Sequence, residues 1–177
     1  GSHAISLELK AFRVAAYADE FREYLKTELA SSLDLGALGF TDDKAIIKER
    51  FIKVAKTLIQ VGDVPSDQVT KPMNLLMEIV PVTHPVETNV GDTLQFKVLE
   101  KRKPRRGQPV FVGRNQGLSP GEEEESIILV SDDKGVISVP ITHDGIWWMK
   151  FVDIQPASKR DSVDFVSRWA SLTFEIK

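Results

Sequence analysis

Apolar and polar residues alternate through ISLELKA (5–11), so that Ile5, Leu7, Leu9 and Ala11 share one face, the period of a half-buried β-strand. The period then lengthens. Phe21, Tyr24, Leu25 and Leu29 recur at helical spacing and predict an amphipathic helix from about Ala16 to Ala30. A second stripe, Ile47, Phe51, Val54, Leu58 and Val61, steps by four and three and predicts another helix. Thr41 is placed to cap it, Asp42 and Asp43 put negative charge at the positive end of its dipole, and Gly62 suits its exit. Lys48, Arg50, Lys53 and Lys56 read as its solvated basic face.

Beyond the linker VGDVPSDQVTKP (61–72) the pattern changes to short apolar runs separated by turn residues, which predicts an all-β sandwich. Strands are expected at 75–80, 93–99, 108–112, 126–130, 136–141, 146–152 and 168–176. In the second of these Leu94, Phe96 and Val98 face inward, between Thr93, Gln95 and Lys97. IWWMKFV (146–152) differs in being apolar on both faces, with Trp147, Met149 and Phe151 on one and Ile146, Trp148 and Val152 on the other. A strand of that kind needs cover on both sides. The expectation is therefore an α+β globule: an N-terminal strand within 1–14, a helical pair within 15–63 packed on one sheet, and a seven-stranded Ig-like sandwich over 72–177, all as one composite unit.

Composition narrows the function classes. The 177 residues are 42% hydrophobic and 28% charged, ordinary globular proportions. A net charge of −3 and a pI near 5.7 argue against a nucleic-acid partner. Apolar runs such as LLMEIVPV are too short to span a bilayer. With no cysteine, disulfides, thiolate metal sites and a Cys nucleophile are excluded. GSH at the start has the form of a purification-tag remnant, so His3 is set aside, and the chain is expected to begin inside a longer natural one.

Enzymatic motifs are missing. There is no G-x-S-x-G elbow, phosphate loop, dinucleotide fingerprint or H-E-x-x-H, which favours a non-enzyme. KRKPRR (101–106) is the densest local charge, either a patch for an anion, lipid headgroup or partner, or a solvated hairpin tip held by Pro104 and Gly107. EEEE (122–125) reads as a solvated loop and SDDKG (131–135) as a hairpin turn.

Connections between successive antiparallel strands alternate between the two ends of a sandwich. Counting from strand 75–80, the first, third and fifth connections then share one end. They carry His84 and Glu87, Glu122 to Glu125, and His143 and Asp144. Two imidazoles with a carboxylate suit Ni²⁺, Co²⁺, Zn²⁺ or Cu²⁺, which makes His84, His143, Asp144 and Glu87 the candidate metal ligands. The plainer alternative is that both histidines are turn residues, His84 before Pro85 and His143 in THDG (142–145). Trp147 and Trp148 read as core or helix-contact residues.

RKPRRGQPV (102–110), SDDKG (131–135) and DGIW (144–147) together resemble the prealbumin-like, carboxypeptidase-regulatory type of β-sandwich, with Arg102 where the first Gly is usual and Ser131 where Thr is usual. Joined to FREYLKTEL (21–29), KERFIKVAKTLIQVGD (48–63), MEIVPVTHPVETNVGDTLQFKVL (77–99) and RWASLTFEIK (168–177), the chain is similar to the NikM-like bacterial family of unknown function, which carries the label of a periplasmic component of cobalt/nickel uptake. Members of that family usually carry a signal peptide and an N-terminal β-rich segment with a histidine near its start, and both are expected to belong to a part of the natural chain ahead of this sequence. The resemblance implies a bacterial, extracytoplasmic, non-catalytic accessory or binding protein, a divalent metal such as nickel or cobalt, and an envelope or membrane transport partner. It supplies no catalytic residues. The alternative is a structural interaction module of the envelope with no metal site. An N-terminal strand whose natural neighbour is missing is also expected to leave a sheet edge open to self-association.

Overall fold

The computed structural model describes residues 1–29, 33–115 and 126–177. The acidic run Glu122–Glu125 and Ala30 fall outside them. The described chain is mostly β with one short helix, in a sandwich-like arrangement of two open sheets. Strands are β1 (Ser2–Glu8), β2 (Phe12–Tyr17), β3 (Ile46–Gln60), β4 (Met77–Pro81), β5 (Thr93–Glu100), β6 (Lys103–Pro104), β7 (Pro109–Arg114), β8 (Ser126–Val130), β9 (Val136–Pro140), β10 (Gly145–Pro156) and β11 (Phe165–Ile176); the helix is α1 (Ala18–Glu28). Seven strands form one sheet in the order β1-β3-β11-β10-β7-β8, with β2 also paired to β3. In the other sheet, β5 is paired to β4, β6 and β9. Each of the seven strands expected over 75–176 has a counterpart.

The expected second helix is a strand. Residues 46–60 pair antiparallel with β1, from Ser2↔Gln60 to Glu8↔Val54, and with β2, from Phe12↔Phe51 to Tyr17↔Ile46. Buried positions on β3 are odd at Ile47 and Glu49 and even at Val54 and Lys56. A strand whose inward parity changes once yields apolar steps of four and three, the spacing that otherwise marks a helix. Residue types pull both ways, since Ile, Phe, Val and Thr, which favour a pleated surface, make up seven of its fifteen residues and good helix formers the other eight. The helical pair is thus a single helix, and Asp42 instead accepts from the Lys44 N–H in a bend at 2.9 Å.

The expected N-terminal strand is two. Glu8 pairs with Val54 and Phe12 with Phe51, so residues 9–11 oppose 52–53, three against two. That is a β-bulge, and the extra residue reverses which parity faces a given side. Ser2 and His3, set aside as a tag remnant, belong to β1, and Ser2 is buried.

By contacts the chain divides into two compact units. The first comprises residues 1–8, 54–151 and 170–177, the second 9–53 and 152–169. In the first unit, Leu94, Phe96 and Val98 of β5 meet Trp147, Met149 and Phe151 of β10 and Leu172 and Phe174 of β11 in the main core. Gly113 lies under the Trp148 ring, where a Cβ would come within 2.4 Å of the indole. That explains a glycine mid-strand opposite a tryptophan in the β7–β10 register.

The second unit has its own core, in which Ala18, Phe21 and Leu25 of α1 pack with Ile47, Val152, Ile154 and Phe165. Asp19 and Glu20 sit in the first turn of α1 and Lys26 in the last, matching the helix dipole. The Glu20 carboxylate also accepts from the Tyr17 N–H at 3.2 Å. An eleven-residue helix is marginal alone, and burial of this stripe supplies what propensity does not. Val152, the expected second apolar face of β10, does lie in the cluster that contains the helix, but Ile146 is exposed.

Candidate functional site

The connections bearing the predicted metal ligands are indeed tied together. Gly91 N–H donates to the Ile141 carbonyl (2.7 Å) and Ile141 N–H to that of Asp92 (2.9 Å). Their imidazoles nevertheless have different surroundings. His84 is 8% exposed and Nδ1 accepts from the Val86 N–H at 3.2 Å. The proton is therefore on Nε2, which donates to Ser2 Oγ at 2.6 Å. Ser2 Oγ also accepts from the Ser66 N–H (2.8 Å) and donates to Gln60 Oε1 (2.5 Å). Both ring nitrogens of His84 are thus committed, Nδ1 to its own turn and Nε2 to the Ser2 cluster that joins β1 to the 61–72 segment. Burial lowers its pKa below the ordinary value, against the opposing charges of Glu87 and Asp67.

His143 is exposed, with Nδ1 2.9 Å from Thr142 Oγ1. THDG is a turn fixed from inside the fold, since Trp147 Nε1 donates to the His143 carbonyl at 3.1 Å and Gly145 takes a positive φ of 100°. His143 borders a cavity of about 490 Å³ with Thr142, Trp147 and Arg114, whereas His84 borders a small one with Ser2 and Val86. Glu87 and Asp144 are exposed. Among the described residues no group of three or more His, Asp or Glu side chains is disposed to hold a metal ion. No helix there is long and apolar enough to cross a membrane.

The basic tip is a tight turn, with Lys101 and Arg102 at φ 48° and 68°, and Arg105 paired to Glu100 at 2.9 Å. SDDKG is a turn, with Asp132 Oδ1 accepting from the Lys134 and Val136 N–H groups, both at 2.8 Å, but not the expected hairpin: β8 pairs with β7 and β9 with β5, so it carries the chain from one sheet to the other.

Lys56, expected on a solvated face, is buried. Its ammonium meets Glu78 at 2.8 Å, with both side chains 2% exposed. Burial lowers the Lys56 pKa, while the hydrogen bond and charge of Glu78 oppose that shift. Glu78 also accepts from the Met73 N–H at 2.9 Å.

In the first unit, one exposed face is largely apolar. On the β1–β3 ladder His3 pairs with Ile59, Ile5 with Thr57 and Leu7 with Ala55, so these side chains share one face. Ile5, Leu7 and Ile59 are 54%, 62% and 43% exposed, and β1 ends its sheet.

A concave site lies in the second unit. Cross-strand pairs Phe12↔Phe51, Val14↔Glu49 and Ala16↔Ile47 place one face of β2 and β3 along a cleft of about 300 Å³, which Glu20, Phe21 and Tyr24 of α1 also line. Six ring contacts join Phe12, Phe51, Trp169, Tyr24, Phe21, Phe165 and Phe40 in succession. Glu49, 4% exposed, accepts from the Tyr24 hydroxyl at 3.3 Å. Burial raises its pKa, with Ser167 and Tyr24 acting against the shift, and burial together with Glu49 raises that of Tyr24 strongly. Ser167 Oγ, though near enough to influence Glu49, makes no hydrogen bond of good geometry. Sequence reasoning passed over Glu49 because a helical reading of 42–61 puts it off the apolar stripe; read as a strand, it alternates inward with Ile47 and Phe51.

A model of the family described as Domain of unknown function (DUF4198) matches residues 4–154. No curated protein and no solved structure matches the chain.

Proposed function

The chain belongs to the DUF4198 family, and we propose that it is a non-catalytic accessory protein of the bacterial cell envelope that works by binding. The observation that carries this reading is the exposed apolar face that Ile5 and Leu7, on the strand that ends the large sheet, share with Ile59 of the neighbouring β3. Adjacent large aliphatic side chains on an open sheet face are the chemistry of a contact surface. His84 and Lys56, by contrast, are held by Ser2 and Glu78. A prealbumin-like topology, an extracytoplasmic location and a role beside nickel or cobalt uptake are what the NikM-like resemblance adds to this proposal.

The two versions separate by experiment. Replacing Leu7 and Ile59 by Lys is expected to release the protein from bacterial envelope fractions with its circular dichroism unchanged. Release of neither variant would remove the contact surface. A metal carrier is supported by the exposure of His143 and Asp144. It predicts saturable Ni²⁺ or Co²⁺ binding by isothermal titration, with His3 replaced by Ala, that persists in His84→Gln and disappears in His143→Ala. No heat with either ion would leave the purely structural interaction module.

A further inference from the structure

We propose that the aromatic cleft of the second unit binds a small organic cation of the quaternary-ammonium class, with Glu49 as its counter-ion. The inference goes beyond the envelope-contact reading and uses different residues. The cleft puts Phe12, Phe51, Phe21 and Tyr24 around a space of about 300 Å³, and Glu49 and Glu20 are on its wall. Aromatic faces attract a cation placed over them, most strongly when the site is desolvated. Glu49 is nearly sealed from water, and its hydrogen-bond donor, Tyr24, is neutral. No cation of the described chain contributes to its titration, in contrast to Lys56 with Glu78.

The lining decides which ligand fits. A buried carboxylate without a cation is unfavourable, and an incoming cation supplies the missing charge. Ca²⁺ or Mg²⁺ would need about six oxygen ligands, whereas Glu20, Glu49 and Tyr24 are the lining residues with oxygen-bearing side chains. Glu20 is moreover engaged at the start of α1. With no imidazole on the wall, a transition metal is disfavoured too. A strongly hydrated primary ammonium would lose its water acceptors and bring N–H donors that this mostly aromatic wall cannot satisfy. A quaternary ammonium has no N–H to satisfy and presents methyl groups to the rings. A neutral apolar ligand would fill the space but leave Glu49 unpaired.

The test uses the whole chain and two probes of nearly equal shape, choline and its neutral isostere 3,3-dimethyl-1-butanol, followed by calorimetry and by the fluorescence of the tryptophans. Choline is expected to bind at least about tenfold more tightly than the alcohol, the advantage of a desolvated cation over aromatic faces. Glu49→Gln is expected to abolish that preference while leaving weak binding of the alcohol. Phe12→Leu, at a half-exposed ring outside the core clusters, keeps the test usable if Glu49→Gln fails to fold, and should weaken choline selectively. Equal binding of the two probes, an unchanged preference in Glu49→Gln, or no binding of choline at 10-millimolar order (about the weakest affinity such a site should show) would each overturn the proposal.

Discussion

Glu78 and Glu49 are carboxylates buried to nearly the same degree, and their surroundings differ in kind. Glu78, in the first unit, has the Lys56 ammonium at 2.8 Å and the Met73 N–H at 2.9 Å. Glu49, in the second, has a hydroxyl at 3.3 Å, a cleft lined by rings, and no cation of its own. A buried charge that is paired and hydrogen-bonded acts as an internal fastening. One that is paired only with neutral donors is a standing cost to the fold, tolerable where it serves a ligand.

The largest expected effect is at the fastening. Lys56→Met strands the Glu78 charge and should destabilise the protein by about 3–5 kcal/mol in urea denaturation. Adding Glu78→Gln removes the stranded charge and should restore more than half of that loss. A single-variant loss below about 1 kcal/mol, the scale of an exposed pair, would erase the contrast between the two carboxylates.

A loss of intermediate size is expected at the other closed polar cluster. Ser2→Ala takes a hydrogen-bond partner from His84, from Gln60 and from the Ser66 N–H, and should cost about 1–3 kcal/mol. Because burial holds the folded-state pKa of His84 below its ordinary 6.5, the unfolded chain binds the extra proton first as pH falls. The His84 contribution is therefore complete above pH 6.5 and is lost as pH drops through the folded-state value. In His84→Gln the stability curve should be flatter over that window. An identical curve would place the acid sensitivity elsewhere.

The smallest effect should have the opposite sign. Burial raises the folded-state pKa of Glu49 above its ordinary 4.5, so its contribution is complete below 4.5 and is lost as pH rises through the folded-state value. Glu49→Gln should then stabilise the protein at neutral pH, by less than about 1 kcal/mol, with no gain near pH 4. Destabilisation at pH 7 would mean that Glu49 is as well partnered as Glu78.

Local pattern was enough for much of the fold. Alternation in TLQFKVL gave β5 its inward Leu94, Phe96 and Val98, Asp132 and Gly135 marked a turn, though one between sheets and not within a hairpin, and the Phe21–Leu25 stripe became the buried face of α1. Counting connections also brought the His84 and His143 loops together, because alternation of strand direction follows from chain continuity. What the side chains in those loops touch is a different matter. His84 turns to Ser2, 82 positions earlier in the chain, and nothing within VTHPVE signals that partner.

The longest strands depended on tertiary structure for the same reason. On β3 the apolar core positions pass from odd Ile47 to even Val54; among members of the two core clusters they pass on β10 from odd Phe151 to even Val152 and Ile154, and on β11 from odd Phe165 to even Ala170 and Leu172. A strand that serves two cores has no single period, so a window of sequence sees either a helical spacing, as at 47–61, or apolar residues on both faces, as at 146–152. Burial of each residue is set by the strand and helix laid against it, which a one-residue bulge at 9–11 can shift. Residue types and their local periods lie in the sequence, whereas the register that buries Lys56 on Glu78 and leaves Glu49 beside a cleft arises only when distant segments pair.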